Sequence, residues 1–301
     1  MATHKFKFHS KSINSIAFSP VDEQTLATSS MDNTICIWTL SEDGKRATRQ
    51  FQLKGHTDDV NSLAWSSDGL FLVSGSDDST IQKWNMSTGE CELVIQTPDL
   101  VFPVALSPDD KHIVSGDGFH LPARRCFVHV WDALTGDRTL GPLKGHQHCV
   151  SAVTYTPDGR RILSGSSDHC IIVWNSITGV KLFGPFIAHS DVIRSISFHP
   201  SGKTFITCSL DKTTTIWDAK TFRAIHKELF ENPVVSAQYS SNGKLLLSAS
   251  RDGILRVWGV EGGRVASEPL KSGSAAAFST HGRWIVSGRD DGIVKIWEVR
   301  W

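Results

Sequence analysis

The sequence lacks any long apolar run, since none of its 301 residues lie in a stretch approaching the ~20 apolar residues of a membrane-spanning helix. It also lacks an excess of charge, because 31 Lys and Arg residues balance 31 Asp and Glu residues. Direct binding to nucleic acid or to a membrane is therefore not expected. Lysines interrupt the apolar positions of the first eight residues, which are not expected to form a signal peptide.

Paired cysteines and cofactor motifs are absent as well. The six cysteines are scattered and form no Cys-x-x-Cys pair, which in a chain of this size favours reduced thiols and a location in the cytoplasm or the nucleus. Neither glycine-rich phosphate-binding motif occurs, and no segment has the pattern of an amphipathic helix. No cofactor is expected.

What is present is a repeat. An acidic turn followed by a short alternating run that ends on tryptophan, as in Gly75–Trp84, recurs seven times at intervals of 39 to 47 residues. A repeat of roughly 40–45 residues rich in short strands is typical of a propeller blade. The sequence predicts an all-β, seven-bladed β-propeller in a single domain over residues 1–301, with its repeats ending at Trp38, Trp84, Trp131, Trp174, Trp217, Trp258 and Trp297.

Each repeat contains four short apolar or alternating runs separated by polar turns. In the second repeat these are Val60–Trp65, Leu70–Ser76, Thr80–Trp84 and Cys91–Ile95, and Ser67–Gly69 forms the first turn. Four such runs predict four antiparallel strands per blade.

The ends of the chain predict how the ring closes. Only four residues follow Trp297, too few for an outer strand, whereas Thr3–Phe8 alternates lysine and phenylalanine and can supply that strand to the last blade. Deletion of residues 1–8 is then expected to lower the thermal stability.

Three features carry a family resemblance: Gly55-His56, the turn Asp78-Ser79-Thr80, and the closing Trp131-Asp132 and Trp217-Asp218. They resemble the WD-repeat family of β-propellers over essentially the whole chain. The resemblance implies a hydrogen-bonded network of His, Ser or Thr, Asp and Trp in each blade. The matching positions are His9, Thr28, Asp32 and Trp38; His56, Ser74, Asp78 and Trp84; His146, Ser164, Asp168 and Trp174; His189, Thr207, Asp211 and Trp217; Ser248, Asp252 and Trp258; and Ser287, Asp291 and Trp297.

Blades 3, 6 and 7 lack the histidine, having Thr97, Phe230 and Pro269 instead, and are expected to be the softer part of the ring. In blade 3, Trp131 lies 16 positions after the hydroxyl residue Ser115, whereas the offset is 10 in the other blades. The insertion lies in Gly116–Cys126 and is interpreted either as a functional loop or as a drifted repeat.

A second resemblance is narrower. Gly141–His146, Gly184–Phe186 and Trp131–Gly136 are similar to fungal WD-repeat arrays, which implies a platform that senses partners.

Two chemical alternatives can be weighed against structure. A Ser/His/Asp set could indicate nucleophilic catalysis, but catalysis needs one site and this set recurs at fixed spacing, which favours a structural role. A metal site could use His112, His120, Cys126 and His129, but their spacing matches no tight ligand motif, and they are interpreted as loop and surface residues. No catalytic or metal site is expected.

The resemblance further implies that the loops entering each first strand and the acidic turns open on one face, where a partner binds. The expected residues are Asn14, Met31, Asp58, Asp59, Asn61, Asp77, Phe102, Phe119, Arg124, Arg125, Cys149, Ser151, Ser167, Arg194, Leu210, Arg251 and Asp290. Blades 1 and 2 contribute amides and acids and blades 3, 5 and 6 contribute arginines, which favours an oppositely patterned partner. Few aromatic residues are expected there, so an aromatic cage for methylated side chains is disfavoured.

The sequence therefore predicts a non-enzymatic scaffold or sensor platform, monomeric within a larger assembly, that binds a protein or peptide. Trp297–Arg300 resembles the Trp-Asp-x-Arg signature of substrate receptors of cullin-type ubiquitin ligases, with Glu298 in place of Asp, which supplies an alternative. An enzyme that uses residues in the central funnel is the disfavoured third hypothesis.

Overall fold

A computed structural model describes residues 3–7, 9–118, 126–260, 269–271, 273 and 275–299. All regular elements in these residues are strands, and they form seven four-stranded antiparallel sheets. No helix in these ranges is long and apolar enough to cross a membrane.

The strands follow the chain in order within each of the first six blades. Blade 1 contains β2 (Ile13–Phe18), β3 (Thr25–Ser30), β4 (Thr34–Leu40) and β5 (Ala47–Lys54); blade 2 contains β6 (Val60–Trp65), β7 (Phe71–Ser76), β8 (Thr80–Asn85) and β9 (Cys91–Gln96); blade 3 contains β10 (Val101–Leu106), β11 (His112–Asp117), β12 (Val128–Asp132) and β13 (Arg138–Leu143).

Blade 4 contains β14 (Val150–Tyr155), β15 (Arg161–Ser166), β16 (Cys170–Asn175) and β17 (Lys181–Ile187); blade 5 contains β18 (Ile193–Phe198), β19 (Thr204–Ser209), β20 (Thr213–Asp218) and β21 (Ala224–Leu229); blade 6 contains β22 (Val234–Tyr239), β23 (Leu245–Ser250), β24 (Ile254–Gly259) and β25 (Leu270–Lys271).

The N-terminal strand completes the seventh blade. This blade has the order β1 (Thr3–Lys7), β28 (Ile293–Glu298), β27 (Trp284–Gly288) and β26 (Ala275–Phe278). Thr3 lies opposite Trp297 and Lys7 opposite Ile293, so the predicted closure by the N-terminal strand is confirmed over the described residues. Phe8, the last residue of the predicted strand, lies outside them.

Side chains from adjacent blades form the core. The second strand of each blade is buried on both faces because it lies between two neighbouring blades, and β7 and β15 show this pattern. Between blades 2 and 3, for example, Val73 and Ile81 pack in one cluster with Val104, Ile113 and Trp131. A cluster of Ile13, Trp38, Trp284 and Val286 joins blade 7 to blade 1. The ring is therefore closed by the same packing that joins its other blades.

The outer strands contrast with this core. In β21 five of the six residues are exposed, and in β9 four of six. The described inner strands instead surround the central channel, so residues at their first positions are placed at its mouth.

Candidate functional site

Four blades contain the complete hydrogen-bonded network. In blade 2, His56 Nδ1 lies 2.8 Å from an Asp78 oxygen, His56 Nε2 lies 2.7 Å from Ser74 Oγ, and Trp84 Nε1 donates to that oxygen at 2.9 Å. Equivalent contacts centre on His9, His146 and His189. The Asp78 carboxylate also accepts from Thr80, so each carboxylate fixes its turn to the blade.

Electrostatics agree with a structural role. Burial raises the pKa of Asp78, but hydrogen bonds from His56 and Thr80 outweigh it and bring the pKa to about 2. Burial lowers the pKa of His9 and His189 against the opposing effect of their aspartates. None of these five residues lines the central cavity. The repeated Ser/His/Asp set therefore lies within the blades and away from the central cavity.

Blade 3 builds a different network. Trp131 Nε1 donates to Ser115 Oγ at 2.8 Å, as in the other blades, but the carboxylate is Asp117 and its histidine, His129, lies within β12 at 3.2 Å. Phe127 N also donates to Asp117 at 3.1 Å. The interpretation of His129 as a loop and surface residue was wrong, because it lies within β12 and is buried. Cys126 lies in the β11–β12 connection, as expected, but its side chain is buried and not on the surface.

Blades 6 and 7 replace the histidine by packing and by exposed polar pairs. Phe230 meets Trp258 edge to face at 5.6 Å, and Asn232 donates to Asp252 at 2.8 Å. In blade 7, Arg289 and Asp291 form an ion pair at 2.9 Å. These carboxylates are more exposed than those of the four networked blades.

The other metal candidates form no site in the described part of the chain. His120 lies outside the described residues, and within them no group of three or more His, Cys, Asp or Glu side chains is arranged to hold a metal ion.

The mouth of the channel is a cavity of about 630 Å³ formed by the inner strands of all seven blades. Among its lining residues are nine of those expected on the binding face: Asn14, Met31, Asn61, Phe102, Ser151, Arg194, Leu210, Arg251 and Asp290. Asp58, Asp59, Asp77, Cys149 and Ser167 do not line the cavity. Phe119, Arg124 and Arg125 lie outside the described residues.

Sequence reasoning missed Val235, which also lines the cavity. Its signal was available, because Val235 follows Val234 at the start of β22 as Asn61 follows Val60 at the start of β6.

One side of the mouth has polar side chains that are bonded within the ring. Asn14 Nδ2 donates to Val60 O in the next blade at 3.1 Å. Asn61 Nδ2 donates to Val101 O of blade 3 at 3.0 Å and to Asp77 at 2.7 Å. Asn14, Asn61 and Asp77 are called the amide sector below. Its hydrogen bonds connect blade 1 to blade 2 and blade 2 to blade 3.

The opposite side of the mouth has positively charged side chains without acidic partners among the described residues. Arg194 and Arg251 are exposed on blades 5 and 6, and both line the cavity. Within the described residues, neither guanidinium forms an ion pair or a side-chain hydrogen bond. Leu210 lines the same cavity from the turn of blade 5. Arg194, Leu210 and Arg251 are called the arginine sector below.

Two acidic residues, Asp58 and Asp59, lie beside the amide sector but do not line the cavity. Burial, and then the neighbouring Asp58 charge, raise the pKa of Asp59, whereas Lys11 opposes them. The negative charge here is crowded, in contrast to the unpaired positive charge on blades 5 and 6.

Comparison with known proteins decides the family. The model for the WD domain, G-beta repeat (WD40) matches residues 2–39, 47–85, 137–175, 180–218, 225–259 and 272–298, more than half of the chain. The chain belongs to the WD40 family. The matched stretches omit residues 86–136, where blade 3 carries its insertion. Propellers of this family are in general non-catalytic and serve as protein-interaction scaffolds.

Curated relatives are similar over parts of the chain. THO complex subunit 3 of Arabidopsis thaliana is 28% identical over 116 residues, 38% of this chain and 36% of that protein. The WD repeat, SAM and U-box domain-containing protein 1 of Danio rerio is 36% identical over 110 residues, 36% of this chain and 22% of that protein. Protein tipD of Dictyostelium discoideum is 32% identical over 165 residues, 54% of this chain and 25% of that protein. The matches thus span little more than a third of these relatives at most.

The ligase-type signature is only partly described. A carboxylate oxygen of Glu298 lies 3.6 Å from a guanidinium nitrogen of Arg283. Arg300, the arginine of the signature, lies outside the described residues. The receptor alternative stays a prediction.

Proposed function

We propose that this WD40 propeller is a non-catalytic scaffold that binds a protein partner at the channel mouth, through an extended segment with acidic side chains. The observation that carries the proposal is the arginine sector. Two exposed guanidinium groups line one cavity and have no acidic partner among the described residues. A carboxylate from a partner would supply the charge-assisted hydrogen bonds that the ring itself leaves unmade.

Apolar residues at the same mouth suit the rest of such a segment. Met31 is 39% exposed, and Phe102 and Leu210 are partly exposed beside the cavity. Apolar contacts near charged anchors are the arrangement that concentrates binding energy in protein interfaces. An acidic side chain next to an apolar one is therefore the expected recognition element.

Assembly with other proteins fits the relatives. One of them, THO complex subunit 3, is named as a subunit of a complex, and the family serves protein interaction. We also propose a reducing compartment, the cytoplasm or the nucleus, because all six cysteines are free thiols.

The test is a selection of random peptides on the immobilised protein. We expect enrichment of Asp- and Glu-containing sequences, and loss of their binding in the double variant Arg194→Glu/Arg251→Glu. Removing two charge-assisted contacts should weaken binding by about 10- to 100-fold or more.

The matched control is Arg160→Glu/Arg223→Glu. Both arginines are exposed on blades 4 and 5, and neither lines the cavity. This variant makes the same change of charge and should retain the selected peptides. Equal loss in both variants would show a general charge effect, and retention in both would place the site elsewhere; either result contradicts the proposal.

A further inference from the structure

One cysteine differs from the other five. Burial raises the pKa of Cys36 to about 11 and of Cys208 to about 12, and it also raises the pKa of Cys91 and Cys170. The pKa of Cys149 is instead lowered, chiefly by hydrogen bonding with the neighbouring Cys126 thiol. Cys149 therefore has the greatest thiolate character of the six.

The two thiols meet at the boundary between blades 3 and 4. Cys126 lies two residues before β12, is 2% exposed, and its Sγ also lies 3.3 Å from Gly118 O. Cys149 immediately precedes β14, is half-buried, and packs against the core cluster that contains Cys126 and Val128. Ser167 N donates to Cys149 O at 2.9 Å and holds this entry to the turn of blade 4.

The arrangement divides two roles between the thiols. Cys149 is partly exposed to solvent and so accessible to a small oxidant, whereas Cys126 is 2% exposed and belongs to the core cluster against which Cys149 packs. An accessible thiolate next to a second, resolving thiol is the arrangement of a redox-sensitive pair. Cys91 is also exposed but has no such neighbour among the cysteines of its own blade, so exposure alone does not create the pair.

We propose that Cys149 and Cys126 form a peroxide-oxidisable pair that closes a disulfide between blades 3 and 4. The Cys149 thiolate attacks one oxygen of hydrogen peroxide, the O–O bond breaks, and the departing hydroxide takes a proton to become water. The sulfur is oxidised to a sulfenic acid by two electrons, and the peroxide is reduced. This inference does not rest on the proposed partner.

The second step consumes the sulfenic acid. The Cys126 sulfur attacks the Cys149 sulfur, the S–O bond breaks, and the hydroxide leaves with the Cys126 proton as a second water. The product links residues 23 positions apart in the sequence and fastens the β11–β12 connection of blade 3 to the entry of blade 4. We expect the oxidised protein to melt at a higher temperature than the reduced one, because the cross-link restricts the unfolded chain.

Peptide mapping of the whole protein tests the proposal. The reduced protein is treated with equimolar hydrogen peroxide, alkylated in denaturant and digested with trypsin, which releases Cys126 in residues 126–138 and Cys149 in residues 145–160. We expect these two peptides to become cross-linked, roughly tenfold faster than the exposed control Cys91 loses its free thiol. Four of the six cysteines should remain alkylated.

Variants separate the two steps. In Cys126→Ser the sulfenic acid on Cys149 should accumulate and be trapped by dimedone, whereas Cys91→Ser should oxidise like the wild type. Melting curves check that each variant folds. The peptide map of the wild-type protein tests the cross-link independently of any variant. Oxidation of Cys91 as fast as Cys149, or conversion of Cys149 to a sulfinic acid while Cys126 stays alkylated, would overturn the proposal.

Discussion

On the side of blades 1 and 2, the amides of Asn14 and Asn61 donate to carbonyls of the next blade, whereas on the side of blades 5 and 6 Arg194 and Arg251 have no such partners among the described residues. Both sets line one cavity. Polar side chains at the mouth of this propeller therefore have two different roles. Side chains whose hydrogen bonds are satisfied within the ring hold the blades together, and those left unsatisfied are available to a partner.

The largest expected effect is on stability and distinguishes a carboxylate bonded within a blade from an exposed one. Asp78→Ala in blade 2 should lower the free energy of unfolding by about 3–5 kcal/mol, because it leaves the buried His56 and Thr80 without their acceptor. Asp252→Ala in blade 6 should cost about 1 kcal/mol, because Asp252 is exposed and bonds mainly to its own turn. Urea unfolding measures both values. Equal losses would show that the histidine network adds nothing.

Lowering the pH should remove the contribution that the carboxylates of the histidine networks make to stability. The pKa of Asp78 and Asp211 is about 2 in the folded protein against 3.8 for an ordinary aspartate, so the folded state favours their charged form. Their contribution is present above the unfolded pKa near 4 and is lost as the pH falls toward about 2.

Unfolding midpoints at pH 4, 3 and 2 should therefore decrease. The decrease should be smaller in Asp78→Asn than in Asp252→Asn, because Asp252 forms no bond to a buried histidine in the described structure. A pH dependence that both variants retain in full would contradict the assignment.

A smaller effect separates the two sectors directly. Asn61→Ala should lower the free energy of unfolding by about 1–2 kcal/mol, since it breaks two hydrogen bonds, one of them to blade 3. Arg251→Ala should change it by less than about 0.5 kcal/mol. Binding of an acidic peptide should respond in the opposite order. Destabilisation by Arg251→Ala would mean that this side chain has a partner within the ring.

Much of the fold could be predicted from the sequence, because each blade repeats one local solution. The tryptophan spacing predicted all seven sheets, and the alternating pattern of residues 3–8 predicted the closing strand β1. Both follow from periodicity and from the need to pair an edge strand.

The network of blade 3 could not be predicted in this way. Its carboxylate, Asp117, lies 14 residues before Trp131 rather than six, and its histidine comes from within β12. The insertion moves the acid out of register, so only the folded backbone brings the two together.

The division of the mouth into an amide sector and an arginine sector could not be predicted from the sequence either. Asn14, Asn61, Arg194 and Arg251 were all expected on one face, but which of them is bonded depends on distances to the neighbouring blade. The pairing of Cys126 with Cys149 depends likewise on the contact between two blades.

The most direct test of the account is a charge exchange at the arginine sector. The Kd of one selected acidic peptide and the Kd of its lysine-substituted counterpart would be measured for the wild type and for Arg194→Glu/Arg251→Glu. Melting curves would first check that the two proteins unfold at the same temperature. We predict that the wild type prefers the acidic peptide and that the variant prefers the lysine peptide. If the variant binds the acidic peptide as tightly as the wild type does, the arginine sector is not the binding site.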